Sequence, residues 1–357
     1  MEIWIDVNTP KQALFLTPLV EELDKRGHGT HVTSRHYREA EGLLRKSPFE
    51  VTFVGKHGGA SLLDKLIASN ERIRGLADLV PEWSPGLAVH FASPECARVA
   101  FGLKIPQVCI SDCPHTVSVD RLTLPLVDRL VTPRVIPYEA WKTYGVQRKA
   151  ITRYDALDPA VWLKRRNIEK LNIEELGADP NRRTITVRYE ESYASYLLDK
   201  DASWGIDILD ALTSNFGEYN ILVLGRYEEQ LSHLAEKFGS KIILPKETVD
   251  GAALLKATDL FVGMGGTMTV EAALLGIPSI SAYQGGPLYY ISYLVKQGLT
   301  YEAHSVNRLV ECAKELLASE TKRKLLAERS RIILDKMEDP IEKIMTVLQQ
   351  FWKTWKA

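Results

Sequence analysis

Short apolar runs alternate with helix-length stretches along this chain, and that alternation leaves few folds open. Ile3-Trp-Ile-Asp-Val is followed by Gln12 to Arg26, where Leu16, Leu19, Val20 and Leu23 recur at helical spacing before Gly27. Thr30 to Ser34, Val51 to Gly55, Leu87 to Phe91, Val108 to Ser111 and Leu130 to Thr132 read as further strands. Between them, Leu62 to Leu79 and Cys96 to Leu103 read as helices. Strands joined by helical crossovers predict a parallel sheet covered on both faces. The second half repeats the scheme with Thr184 to Tyr189, Asn220 to Gly225, Lys241 to Leu244, Leu260 to Gly263 and Pro278 to Ala282. Beyond Ser305 the pattern is helical to the end.

A chain of 357 residues exceeds what one core usually holds. The expected division is a first Rossmann-like domain over 1–150 and a charged connection over 151–182, containing LKRRNIEKLNIEELGADPN. A second Rossmann-like domain over 183–338 and a terminal helix over 339–357, packing back on the first domain, complete it. The predicted fold class is α/β: two doubly wound domains facing across a cleft, where such sheets bind ligands, with a helical C-terminal segment.

A formal net charge of −1 gives no nucleic-acid footprint. No apolar run reaches spanning length, and MEIWIDVN opens directly as a strand, so neither a signal peptide nor a transmembrane segment is expected. The four cysteines lack metal-ligand spacing and read as reduced thiols, which points to the cytoplasm. The closing FWKTWKA could touch a membrane; anchoring of the last helix by Phe351, Trp352 and Trp355 is the preferred reading.

Within this frame VGMGGTMTVEAALLGIPSIS, Val262 to Ser281, carries the strongest chemical pattern. A buried strand enters a turn of Gly263, Gly265 and Gly266, where the backbone can approach a ligand closely. The helix that follows presents N–H groups able to bind a phosphate. Glu271 lies four residues after Thr267, on the same helix face, among apolar neighbours where a lone acid needs partners. Gly276 and Pro278 stop the helix.

This stretch resembles the nucleotide-sugar signature of the GT-B superfamily, seen in UDP-N-acetylglucosamine 2-epimerases and the lipid-II-forming N-acetylglucosaminyltransferase. The matching residues are Gly265, Gly266, Thr267, Glu271, Gly276 and Pro278. The whole chain is similar to an uncharacterised, mainly archaeal family beside those enzymes, through SPECARVAFGLKIP, SDCPHT, DRLTLPLVDRLVTP and TVRYEESYAS. The resemblance implies a second domain holding a UDP-sugar as substrate, with no tightly bound cofactor and no metal site. Gly265, Gly266 and Thr267 would lie near the phosphates, Glu271 would accept from ribose hydroxyls, and Arg188 would pair with the diphosphate. Arg188 could instead form a surface ion pair with Glu190 or Glu191.

The first domain would carry the acceptor or acid–base groups. Asp112 and His115 follow the strand ending at Ser111, and a carboxylate with an imidazole in one turn can converge on a substrate proton. Glu95, in the first turn of its helix, is a further candidate. The bland alternatives are that Asp112 caps a turn and that His115 is a satisfied loop residue. Two departures separate this chain from the named enzymes. Asn8-Thr9-Pro10-Lys11 is neither a glycine-rich nor an arginine-containing loop, and Arg188 stands where the epimerases have a histidine. Glycosyl transfer from a UDP-linked donor to an unknown acceptor is the expected activity. The alternatives are epimerisation at C2 of the sugar, and a non-catalytic role as a sugar-nucleotide sensor or a subunit supporting another enzyme.

Overall fold

The computed structural model describes residues 1–59, 61–189, 203–225, 227–247 and 249–355. Two compact units divide it: Met1–Trp162 with Glu338–Ala357, and Leu163–Met337.

The first unit alternates β1 (Glu2–Val7), α1 (Pro10–Lys25), β2 (Gly29–His36), α2 (Arg38–Leu44), β3 (Val51–Lys56), α3 (Leu62–Trp83) and β4 (Leu87–Phe91). It continues through α4 (Pro94–Gly102), β5 (Gln107–Ile110), α5 (Val117–Thr123), β6 (Arg129–Pro133), α6 (Tyr138–Lys142), β7 (Ile151–Tyr154) and α7 (Ala160–Leu163). The seven strands are parallel in the order β3-β2-β1-β4-β5-β6-β7. Ile3, Trp4, Ile5 and Val7 of β1 are all buried, as a central strand covered on both faces requires. Helix α1 starts where Thr9 accepts from the Gln12 N–H and Pro10 takes the first turn, and it buries Phe15, Leu16, Leu19, Val20 and Leu23. Gly27, at φ 75°, turns the chain back into β2.

The second unit holds β8 (Thr184–Arg188), α8 (Trp204–Asn215), β9 (Asn220–Leu224), α9 (Glu228–Phe238), α10 (Gly251–Lys256), β10 (Leu260–Gly263) and α11 (Thr267–Leu274). It closes with β11 (Ser279–Ser281), α12 (Tyr289–Lys296), β12 (Tyr301–Glu302), α13 (Val306–Ala318) and α14 (Glu320–Lys336). Its parallel sheet runs β12-β11-β10-β8-β9, over a core that includes Ile185, Val187, Val223, Val262 and Trp204.

Two local features differ from the sequence reading. Ile151–Tyr154, assigned there to a connection, forms β7 at the edge of the first sheet, paired in parallel with β6. Lys241 to Leu244 is not a strand: Gly239–Lys241 closes a tight helical turn, leaving one isolated bridge between Ile243 and Leu222 before Pro245. The helical C-terminal region is three helices. Ser305 and Ser319 cap α13 and α14, and Pro340 opens α15 (Pro340–Trp355). Helix α15 belongs to the first unit, where the Trp352 ring stacks on His28 with centroids 4.2 Å apart and Arg129 lies over Phe351. Among the described residues no helix is long and apolar enough to cross a membrane.

Candidate functional site

In the second sheet the connection after β8 leaves toward β9, while that after β10 leaves toward β11. Such a reversal opens a crevice outside the carboxyl ends of the two strands. Arg188 and Gly263 are register partners there, and the Met264 N–H donates to the Arg188 carbonyl at 3.0 Å. The Arg188 guanidinium donates to the carbonyls of Gly225 at 3.1 Å and Leu224 at 3.4 Å, which anchors it along the same edge. The partners considered for it above, Glu190 and Glu191, lie outside the described residues.

The three glycines of this turn have different reasons to be glycine. A Cβ on Gly263 would stand 2.1 Å from Thr269 Oγ1, and one on Gly266 would stand 2.4 Å from the Tyr290 hydroxyl oxygen. Both are packing requirements. A Cβ on Gly265 would meet nothing within 4 Å, so its backbone faces open space. Helix α11 begins immediately after, with Thr267 half-buried at its first position and a glycine N-cap that supplies no side-chain bond. The Thr269 hydroxyl donates to the Gly265 carbonyl at 2.7 Å and holds the turn. Glu271 is buried one turn further on, and Gly276, at φ 72°, ends the segment against Ala327 and Ser330. Arg188, Gly265, Gly266 and Thr267 therefore lie at the strand ends of one switch point, with Glu271 one turn into the helix that starts there.

In the first unit Lys11 stands in the opening turn of α1, beyond the end of β1, with its ammonium 4.8 Å from the centre of the Phe91 ring. It is ion-paired with Asp112, which follows β5, and at 2.8 Å with Asp158, which follows β7. The Cys113 thiol donates to Asp112 at 3.0 Å, and the Tyr154 hydroxyl donates to Asp158. The Tyr144 hydroxyl donates to the Pro114 carbonyl at 2.7 Å and steadies the Asp112–His115 loop.

The two carboxylates share a cation but differ in proton affinity. Burial raises Asp158, the Asp112 charge raises it further, and Lys11 and Tyr154 offset only part, leaving it at about 6. Asp112 lies below its ordinary value: burial opposes ionisation, but Lys11, the Cys113 thiol and His115 outweigh it. We assign the lasting negative charge to Asp112 because it has the extra partners. Lys11 is held firmly protonated, its burial outweighed by both carboxylates. His115, half-buried, is lowered by burial against the pull of Asp112, so its imidazole is neutral at pH 7. Asp120 in α5 is fully buried and pushed up to about 7, mainly by burial and in part by Asp112, while a Thr116 hydrogen bond works the other way. Neighbouring groups with proton affinities pushed apart are a usual arrangement for acid–base work.

Glu95 belongs to a different cluster. It accepts from Ser69 at 2.7 Å and Ser93 at 3.4 Å and lies 3.8 Å from Arg72. Arg72 reaches from α3 into a two-point pair with Asp6 of β1, at 2.6 and 3.2 Å, and donates to the Val54 carbonyl. Thr33 donates to the same Asp6 carboxylate at 2.6 Å, so charge and hydrogen bonds are satisfied together, as a buried pair needs. Glu95 is thus a member of this network, separate from the Lys11 cluster. Among the described residues no three His, Cys, Asp or Glu side chains converge as a metal site requires.

Sequence reasoning quoted the Lys11 loop without assigning the lysine a role, and it passed over Asp158, Asp120 and the Asp6–Arg72 pair. Position after a strand was a usable signal for Lys11. Asp158 offered none, because its segment read as a connection.

Two doubly wound parallel sheets and a long C-terminal helix define a protein of the GT-B fold. More narrowly, the chain belongs to the family described as Protein of unknown function (DUF354), which it matches over residues 1–342. It is similar to an uncharacterized protein of Methanocaldococcus jannaschii, at 29% identity over 323 residues, covering 89% of this chain and 92% of the relative. Among solved structures it resembles a UDP-GlcNAc 2-epimerase of Neisseria meningitidis bound to UDP-GlcNAc, with TM-score 0.74, 15% identity and coverage of 99% and 100% of the two chains. A glycosyltransferase of Streptomyces nogalater aligns with TM-score 0.61, 18% identity and coverage of 98% and 99%. At these identities the likeness to solved structures speaks for the fold alone.

Proposed function

We propose that this protein is a glycosyltransferase that takes a sugar from a UDP-linked donor. The observation that carries the reading is the switch point of the second sheet. There Gly265 offers an open backbone at a helix start, with Arg188 beside it and Glu271 buried one turn on. A helix N-terminus with an adjoining guanidinium suits a diphosphate, and a buried carboxylate suits ribose hydroxyls. In the reaction an acceptor hydroxyl oxygen bonds to the anomeric carbon as the bond from that carbon to the diphosphate oxygen breaks. The bonding pair leaves with UDP, and the hydroxyl proton passes to Asp112, with His115 as the neighbouring neutral base. Lys11 keeps Asp112 ionised, and Asp158 is the partner that can take a proton near pH 6.

A second reading, epimerisation at C2, is favoured by one observation, the unequal Asp112 and Asp158 around Lys11, since removal and return of a carbon-bound proton also needs an acid and a base. Incubation with UDP-GlcNAc, followed by NMR, separates the readings. Transfer or slow hydrolysis releases UDP, epimerisation yields the C2 epimer with the diphosphate intact, and saturable binding without either product leaves a sensor. Absence of UDP and UDP-sugar binding would end the proposal.

A further inference from the structure

At the amino ends of β6 and β7, across the sheet from the Lys11 cluster, the first unit holds a cavity of about 550 Å³. That lies inside the range of roughly 300–1,000 Å³ found for small-molecule sites. Its two walls are the loops that enter those strands, set side by side by the pairing of Leu130 with Ile151. On one wall α5 gives way to a tight turn, Leu124–Leu126, whose Leu126 carbonyl accepts from the Gln107 side chain at 2.9 Å. The Gln107 backbone N–H donates to the Asp128 carboxylate at 2.8 Å, so β5 pins this loop at two points. On the other wall Gly145, at φ 79°, turns the chain after α6, and a Cβ there would meet nothing within 4 Å. A second tight turn, Arg148–Ala150, leads into β7.

The lining combines hydrocarbon with unpaired positive charge. Leu124, Pro125, Val127, Val146 and Ala150 supply its apolar part, and Arg129 and Lys149 its cations. Among the described residues neither cation has a carboxylate partner. Arg129 donates to the Asp128 carbonyl at 2.9 Å and lies over the Phe351 ring, while Lys149 is exposed. Asp128 is the one carboxylate of the lining, and it is engaged by Gln107, so the balance stays positive. Lys142 and Arg148, on the same loop as Lys149, are exposed cations as well, and Glu139 is the sole carboxylate between Arg129 and Arg153. In a chain of net charge −1 this excess is local. Apolar walls with a few convergent charges of one sign suit a ligand that carries the opposite charge on a hydrocarbon body.

We propose that the cavity between the Leu124–Arg129 and Gly145–Ala150 loops binds a small organic anion. Its hydrocarbon body would rest on Leu124, Val127 and Val146, with a phosphate or carboxylate head at Lys149 and Arg129. The four residues of β7, at ~3.3 Å each, set this cavity on the order of 13 Å from the carboxyl ends of the sheet, where Asp112 and Asp158 stand. The anion is therefore a second ligand and not a reactant at the Lys11 cluster, and its binding does not depend on the activity proposed above. A concave site favours a single molecule over a flat lipid surface.

Calorimetric titration of the full chain with octyl phosphate and octanoate, below their aggregating concentrations, tests this, with octanol and inorganic phosphate as the separated parts. At least one of the two anions should bind at least tenfold more tightly than either part, and the tighter one identifies the head group. Its affinity should be the same with UDP absent or saturating. Lys149→Glu should weaken it at least tenfold with the melting temperature unchanged, because that side chain is exposed and unpaired. Ala150→Leu, which adds hydrocarbon to the cavity, should also weaken it. No binding of either anion, an affinity no better than that of inorganic phosphate, or an affinity that survives either substitution would overturn the proposal. Competition by UDP would do the same by moving the binding to the second unit. So would co-sedimentation with phosphatidylserine vesicles that Lys149→Glu abolishes while neither soluble anion binds, since the face would then be a membrane contact.

Discussion

Replacing Asp158 with Asn tests the account of the Lys11 cluster most directly. Asn keeps the shape of the neutral acid and removes the proton. In the folded protein Asp158 titrates at about 6, against 3.8 as the ordinary value, because burial and the Asp112 charge oppose its ionisation. Between those values the native state binds more protons than the unfolded chain, so stability falls as pH rises through the window and the loss is complete above about 6. The difference, 6 − 3.8 = 2.2 pH units, corresponds to about 3 kcal/mol at ~1.36 kcal/mol per unit. Asp158→Asn lacks this loss, and any constant packing cost of the amide is the same at every pH. By pH 4 about 0.5 kcal/mol of this is already lost, so urea unfolding of both proteins at pH 4 and pH 8 should show the variant gaining about 2.5 kcal/mol on the parent between them. Asp120, which titrates at about 7, contributes to both proteins and cancels in the comparison. A gap between parent and variant that stays flat from pH 4 to 8, or moves the other way, would refute the unequal sharing of Lys11.

Three further outcomes follow from the geometry. Glu271→Gln should weaken UDP binding by about 1.5–3 kcal/mol, the range for hydrogen bonds to a charged group; calorimetry giving parental affinity would remove the ribose role. Gly265→Ala should fold with parental stability yet bind UDP poorly, because its Cβ meets only open space, whereas Gly263→Ala should lose about 1–3 kcal/mol by forcing a Cβ against Thr269. Paired melting curves and titrations compare them, and equal destabilisation of the two would contradict the assignment. Asp112→Asn and His115→Gln should each retain UDP affinity while turnover falls about 10²–10⁴-fold once an acceptor is in hand; parental turnover in both would move the chemistry elsewhere.

Much of the architecture is local and was therefore legible. Strand runs such as Ile3 to Val7 and Leu260 to Gly263 are apolar because both faces of a parallel sheet are covered, and the helices between them carry their own spacing and caps. The Gly265–Pro278 segment could be read because turn, helix start, carboxylate and helix stop fall within one βαβ unit. Short elements resisted. Four residues of β7 give too little pattern to separate a strand from a charged connection, and Lys241 to Leu244 has strand-like residues but only one bridging partner.

What the sequence alone determined is the two-sheet α/β fold, with Arg188 at the end of one strand and the Gly265–Glu271 turn and helix at the end of another; the strand order that sets those two ends side by side came from the structure. Tertiary structure alone decided what each charge touches. Asp6 and Arg72 are 66 residues apart in the chain yet form a two-point pair, and Lys11 selects Asp112 and Asp158 from separate strand ends. Neither choice leaves a periodic trace, because a buried ion pair is set by which side chains the packed sheet brings within a few ångströms, and burial then sets their proton affinities.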